Sequence, residues 1–173
     1  MGERLLPTVL TVLILLAVFA LIGMGWRNRL KRQAGVAALP EVPDILGTPL
    51  LSVAGTYVAT TSAGDWLDRI AVQSLGLRTN ATVDVFDDGV LITRSGAPDV
   101  YIGAGALTEI RLESGMAGKF VEKDGLVVLS WTLGETPVDT GFRTRAAAEK
   151  TPLRLALEKL LPHDGASTPS PQA

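Results

Sequence analysis

Residues 126–161 read LVVLSWTLGETPVDTGFRTRAAAEKTPLRLALEKLL, and the apolar period changes once within them. Val127, Leu129, Trp131 and Leu133 fall on one face of an extended chain, while Leu126 and Val128 keep the opposite face apolar as well. A strand that is apolar on both faces belongs inside a sheet, not at its edge, and Trp131 is expected in the core. After a turn at Glu135, Thr136 and Pro137, residues 138–144 read as a last strand. Beyond Thr144, an expected N-cap, the period becomes helical. Leu153, Leu157, Leu160 and Leu161 form one stripe, with Arg154, Glu158 and Lys159 outside it. The expected helix covers about residues 145–161. Pro152 leaves two alternatives, a kink in one helix or a second helix capped by Thr151 with Pro152 at its first position.

Upstream of this stretch the chain is strand-like from residue 50. Residues 50–61 are rich in β-branched and aromatic side chains and form a first strand. A turn follows at residues 62–65, where Ser62 and Asp65 are placed to cap a short helical turn through Trp66, Leu67 and Asp68. Residues 70–75 read as a short second strand. The clearest hairpin joins residues 81–86 to residues 90–94 through Asp87, Asp88 and Gly89, since Asp-Gly suits a tight turn. Residues 100–102 and 107–114 are further strands, with Ile110 and Leu112 facing inward and Glu109, Arg111 and Glu113 outward. Residues 115–118 form a loop, and a second Asp-Gly hairpin is expected between residues 119–121 and 126–133.

At the other end, residues 5–26 read LLPTVLTVLILLAVFALIGMGW, without a charged side chain. As a helix this stretch is about 33 Å long, enough for a hydrocarbon core of about 30 Å. Arg27, Arg29, Lys31 and Arg32 follow directly, whereas residues 1–4 contribute only the α-amine, Glu3 and Arg4. Lys and Arg are retained on the cytoplasmic side, so the expected topology is N-terminus outside and residues 27–173 in the cytoplasm of a single-pass plasma-membrane protein. Pro40, Pro43 and Pro49 make residues 27–49 a basic flank and extended linker to a domain at residues 50–161. Residues 162–173 have the composition of a disordered tail.

Of the 173 residues none is cysteine, which excludes a disulfide framework and thiolate metal sites. The single histidine, His163, has no neighbouring ligand cluster, so no metal and no cofactor is expected. The net charge of −2 hides an asymmetry: after residue 32 the chain holds eleven Lys and Arg against seventeen Asp and Glu. An acidic domain argues against nucleic acid as a partner and against broad adhesion to anionic headgroups. Gly118-Lys119 is not a phosphate loop, because Glu113 and Phe120 stand where Gly and Ser or Thr are needed. No histidine is available to activate a nucleophile in the domain.

Several antiparallel strands closed by one amphipathic helix give a pleckstrin-homology-like (PH-like) β-barrel of about seven strands, capped by the helix. Residues 55–61 (GTYVATT), 64–70 (GDWLDRI), 115–120 (GMAGKF), 126–131 (LVVLSW) and 139–143 (DTGFR) carry a further likeness. In them the chain resembles actinobacterial single-pass membrane proteins with a C-terminal PH-like domain. The resemblance covers nearly the whole chain and implies no assigned chemistry. Gly115, Gly118, Lys119 and Phe120, with Trp66, Arg69 and Arg143, are the candidate binding residues. Glycines admit a close partner, and cations beside aromatics suit an anionic or peptide ligand. The functional expectation is a non-enzymatic, membrane-tethered binding or scaffolding module for a protein at the inner membrane face, with a lipid headgroup the weaker option. The alternative is an accessory subunit of a transporter or membrane enzyme that associates through its transmembrane helix.

Overall fold

A computed structural model describes residues 5–33, 35–44 and 46–162, without the side chains of residues 5, 6, 26 and 28–32. Residues 1–4, the tail from His163 onward and the side chains of Arg29, Lys31 and Arg32 therefore lie outside the described residues. The chain divides into two compact units that part between Gly35 and Val36.

The first unit is one helix, α1 (Leu5–Arg32), which runs six residues beyond the expected end at Trp26 and through the basic cluster. Pro7 sits in its first turn, where an absent N–H removes no helical bond. The Thr11 hydroxyl donates to the Pro7 carbonyl at 2.8 Å, so the polar atom is satisfied within the helix. Pro7–Gly25 is long and apolar enough to cross a membrane and is exposed throughout.

The second unit is built on a seven-stranded antiparallel sheet. Its strands are β1 (Leu51–Ser62), β2 (Thr79–Val85), β3 (Gly89–Arg94), β4 (Val100–Gly103), β5 (Leu107–Glu113), β8 (Leu126–Leu133) and β9 (Thr136–Thr144). They lie in the order β4-β3-β2-β1-β9-β8-β5, so β1 joins the N-terminal meander to the C-terminal strands. The sheet curls around its core as a half-barrel whose edges, β4 and β5, stay unpaired with each other. The register of β1 against β9 shifts between Tyr57 and Ala59, a bulge that bends the strand. Tyr57, Ile92, Leu107, Leu129, Trp131 and Phe142 are fully buried on the concave side.

The closing helix, α2 (Lys150–Glu158), inserts Leu153 and Leu157 into that core and packs on β5 and β1. It is shorter than the expected 145–161. A 3-10 turn at Ala147–Glu149 precedes it, and neither Thr144 nor Thr151 caps it. Pro152 neither kinks the helix nor starts it; it is the third helical residue, where no i−4 carbonyl bond is lost. Arg154 and Glu158 pair at 2.6 Å one turn apart on the outer face.

Four further expectations change. Residues 36–39 are not a free linker: Val36, Ala37 and Leu39 pack on the core, and the Gln73 amide donates to the Ala37 carbonyl at 2.6 Å. Residues 70–75 are not a strand but a bridge at Arg69 and a 3-10 turn, with Gln73 and Ser74 at positive φ. Thr136 and Pro137 belong to β9, paired with Leu133 and Thr132, so the turn is Gly134-Glu135. Finally, β7 (Lys119–Phe120) pairs with β6 (Gly115–Met116) and not with β8. This small hairpin folds over the convex face of β8, β9 and β1. Met116 and Ala117 cover Val58, Ala59, Leu126 and Val128 in a second, smaller apolar cluster. The double-sided apolarity of β8 follows from this lid as much as from its interior position.

Candidate functional site

The lid is held by two loops of different origin. Ala117 and Gly118, the central residues of the β6–β7 turn, both have positive φ, as a tight hairpin compatible with strand twist requires. The Ala117 N–H donates to the Trp66 carbonyl at 2.7 Å, and the Arg69 guanidinium donates to the Ala117 carbonyl at 2.6 Å. The turn at residues 65–68 is set by Asp65, whose carboxylate accepts from the backbone N–H of Leu67 and Asp68. Ser62 does not share that cap; its hydroxyl donates to Asp68 at 2.8 Å. Trp66 thereby reaches Phe120 across the lid, with ring centroids 5.5 Å apart and planes inclined by 58°. Both residues remain open to solvent, Trp66 at 42% and Phe120 at 79% exposure.

Beneath these rings lies a cleft of about 470 Å³. Its walls are Trp66, Phe120, Glu113 and Asp124, and its floor includes Thr61, Arg111 and Asp139. The floor carries an ion pair formed by Arg111, which was expected on the outward face of its strand, with Asp139. Arg111 meets Asp139 through two N–H···O contacts, of 2.7 and 3.3 Å. The Ser130 hydroxyl donates to Asp139 at 2.7 Å, and the Gly64 N–H does so at 3.3 Å. Arg111 also contacts the Ser130 hydroxyl, Glu113 at 3.1 Å and Glu109 at 3.6 Å. The Asp139 side chain is 5% exposed. Burial alone pushes its carboxyl up, but hydrogen bonds from Arg111 and Ser130, the Arg111 charge and the Gly64 N–H together hold it below the ordinary carboxylate value. The Asp139 hydrogen bond, against burial, raises the Arg111 guanidinium in turn. A carboxylate so stabilised is a weak base, and the Ser130 hydroxyl beside it is a donor in a structural network, not an activated nucleophile.

Six of the seven expected binding residues thus gather at one place: Trp66, Arg69, Gly115, Gly118, Lys119 and Phe120 form the lid and its anchor. Arg69 acts there by holding backbone carbonyls. Arg143 is elsewhere; it pairs with Glu122 at 2.8 Å beside a separate depression bordered by Arg145 and Lys150. Arg111, Asp139 and Thr61 were not anticipated. The signal available for Asp139 was a carboxylate between Val138 and Phe142 in the middle of a strand, opposite Ser130 in register. Among the described residues no group of three or more His, Asp or Glu is arranged to hold a metal.

The model of the family described as bacterial PH domain-like matches residues 36–158. The chain belongs to this family. The match begins at Val36, the first residue of the second unit, and takes in the sheet, the lid and α2. Comparison with solved structures gives matches of low similarity. A chain of "The 8S snRNP Assembly Intermediate" has a TM-score of 0.48 and 9% identity, covering 79% of this chain and 95% of that one. The C-terminal domain of an unknown protein from Leishmania infantum has a TM-score of 0.39 and 12% identity, over 80% and 97%. Vav1 bound by an allosteric inhibitor has a TM-score of 0.40 and 16% identity, over 79% of this chain and 32% of that chain. At these values none bears on what the PH-like domain binds. No curated protein sequence matches the chain.

Proposed function

We propose that this protein is a membrane-anchored, non-enzymatic PH-like binding module facing the cytoplasm, and that the cleft beneath the β6–β7 lid receives a protein partner. The PH-like fold suggests a binding or scaffold module. The observation that carries the cleft assignment is the exposed Trp66–Phe120 pair at its mouth, since aromatic side chains at the rim of a pocket are the usual anchors of protein interfaces. Anchoring rests on the length and apolarity of Pro7–Gly25, and orientation rests on Arg27, Arg29, Lys31 and Arg32. The advantage of such an anchor is concentration. A tethered domain meets other membrane-bound partners at effective concentrations that reach about millimolar, so a modest contact suffices.

The test is crosslinking and affinity capture of the full chain from native membranes, with Trp66→Ala and Phe120→Ala as variants. Both rings are exposed, so folding is expected to survive. Partner recovery is expected to fall at least about tenfold. Replacing residues 5–26 by an unrelated transmembrane helix is expected to preserve recovery. Loss of partners after that exchange, with the aromatic variants unaffected, would move the binding site to the helix and favour the accessory-subunit reading.

A further inference from the structure

The charge inside the cleft indicates which partner chemistry it accepts. Its lining holds one cation, Arg111, and three carboxylates, Glu113, Asp124 and Asp139. Arg111 and Asp139 neutralise each other on the floor, which leaves Glu113 and Asp124. Glu113 takes the Arg111 Nε on one oxygen and keeps the other available. Asp124 is half-buried and at positive φ; its backbone N–H donates to the Ser114 hydroxyl, and its carbonyl accepts from Lys150. Its carboxylate has no hydrogen-bonding or ionic partner among the described residues. The floor adds an independent observation. Thr60 turns inward to Tyr57 and Thr140, so its neighbour Thr61 faces the lid side, where it is fully buried and its hydroxyl finds no partner.

We infer that the cleft is a receptor for a single basic side chain, a lysine or arginine presented by a segment of the partner protein, held between the Trp66 and Phe120 rings and the Asp124 and Glu113 carboxylates. The inference rests on the cleft being the partner site. An ammonium carries three donors and no acceptor, which complements two carboxylates and an unpaired hydroxyl. The negative faces of two aromatic rings attract the same charge, and Trp is the best of the aromatic acceptors. An anion entering the cleft would meet two carboxylates, and the Arg111 and Arg69 guanidiniums that would attract it are already engaged on protein oxygens. The sign of the ligand is therefore opposite to that expected from Lys119, Arg69 and Arg143 in the sequence.

The experiment uses the full chain in phospholipid nanodiscs and follows the Trp66 indole N–H by nuclear magnetic resonance, assigned with Trp66→Phe. The probes are N-acetylated, C-amidated Ala-Lys-Ala, the same peptide with norleucine in place of lysine, and inorganic phosphate. The lysine peptide is expected to shift the Trp66 signal saturably, with a dissociation constant in about the millimolar range, and the norleucine peptide to bind at least about tenfold more weakly. Asp124→Asn, which tolerates positive φ, is expected to weaken the lysine peptide at least about fivefold while the buried Trp131 signal stays in place as a folding control. Thr61→Val is expected to weaken it by a smaller factor. Equal binding of the two peptides, an unchanged affinity in Asp124→Asn, a response to phosphate alone, or no response to any probe each overturns the basic-side-chain inference. The cleft as partner site fails separately, when Trp66→Ala and Phe120→Ala leave partner capture intact.

Discussion

Asp139 and Arg111 show at the scale of single residues how a buried charge is kept in this domain. Taking the Asp139 carboxylate out of water is unfavourable, and only the combined donors from Arg111, Ser130 and Gly64 offset it. Removing one partner leaves the other buried without compensation, so Asp139→Asn is expected to destabilise the domain by about 3 kcal/mol in chemical denaturation. The pH dependence follows from the direction of the shift. Because the folded carboxyl titrates below its unfolded value, its contribution is complete above about pH 4 and disappears as pH falls through the lower folded value. Acid unfolding of Asp139→Asn is accordingly expected to be flatter than that of the wild type in this window. Tyr57 acts at the opposite end of the scale. Its hydroxyl donates to the Leu75 carbonyl at 2.8 Å and meets Thr60 at 2.6 Å, and Thr60 and Trp131 both meet Thr140. Burial, partly opposed by the Thr60 hydrogen bond and by Arg94, pushes the phenol up to about 12. Stability from this group is intact below about pH 10 and is lost as pH rises toward 12. Tyr57→Phe is expected to cost about 1–2 kcal/mol at neutral pH and to remove this alkaline component, measured by urea titration at pH 8, 10 and 11.

At the scale of elements, the β6–β7 lid is the part that could least be read from sequence. Its strands are two residues each and show no alternation, and Glu122–Gly125 offered a competing Asp-Gly turn. Its position is fixed by contacts distant in sequence: Trp66 and Arg69 hold Ala117, and Met116 sits against Gly141 of β9. A Cβ at Gly141 would overlap the Met116 sulfur, so Gly141→Ala is expected to displace the lid and cost about 1–3 kcal/mol, with faster amide exchange confined to residues 115–121. The longer elements were legible because period and turn chemistry agreed. Val83 and Val85 pair with Ile92 and Val90 around the Asp-Gly turn as alternation required. Leu153 and Leu157 bury as the helical stripe required, and Leu157→Ala is expected to cost about 2–5 kcal/mol. The helix start was misread because alanines favour helix in any position, whereas the chain leaving β9 first needs a 3-10 turn to redirect it. Residues 70–75 failed for a related reason: Gln73 and Ser74 occupy positive φ, which their sequence does not announce.

The whole molecule comprises two units, an apolar helix and a half-barrel whose convex face is partly covered by the lid. The candidate residues at 115–120 stay together in the structure because glycines, a lysine and a phenylalanine lie close together in sequence and form one hairpin. The ion-paired floor was missed because Arg111, Ser130 and Asp139 come from three strands and meet only in the sheet. The topology is checked by fusing a periplasm-dependent reporter to the C-terminus, which is expected to stay inactive. The claim on which the account depends most is that the aromatic-rimmed cleft is where a partner sits. A benzophenone derivative of phenylalanine at position 120 of the full chain, which keeps the aromatic ring there and is activated in native membranes, tests it most directly. The account predicts a discrete protein adduct that Trp66→Ala and Asp124→Asn both reduce at least about tenfold, while a crosslinker at exposed Leu155 on α2 gives none. Adducts of equal yield at positions 120 and 155, or an adduct at 120 indifferent to both substitutions, would contradict it.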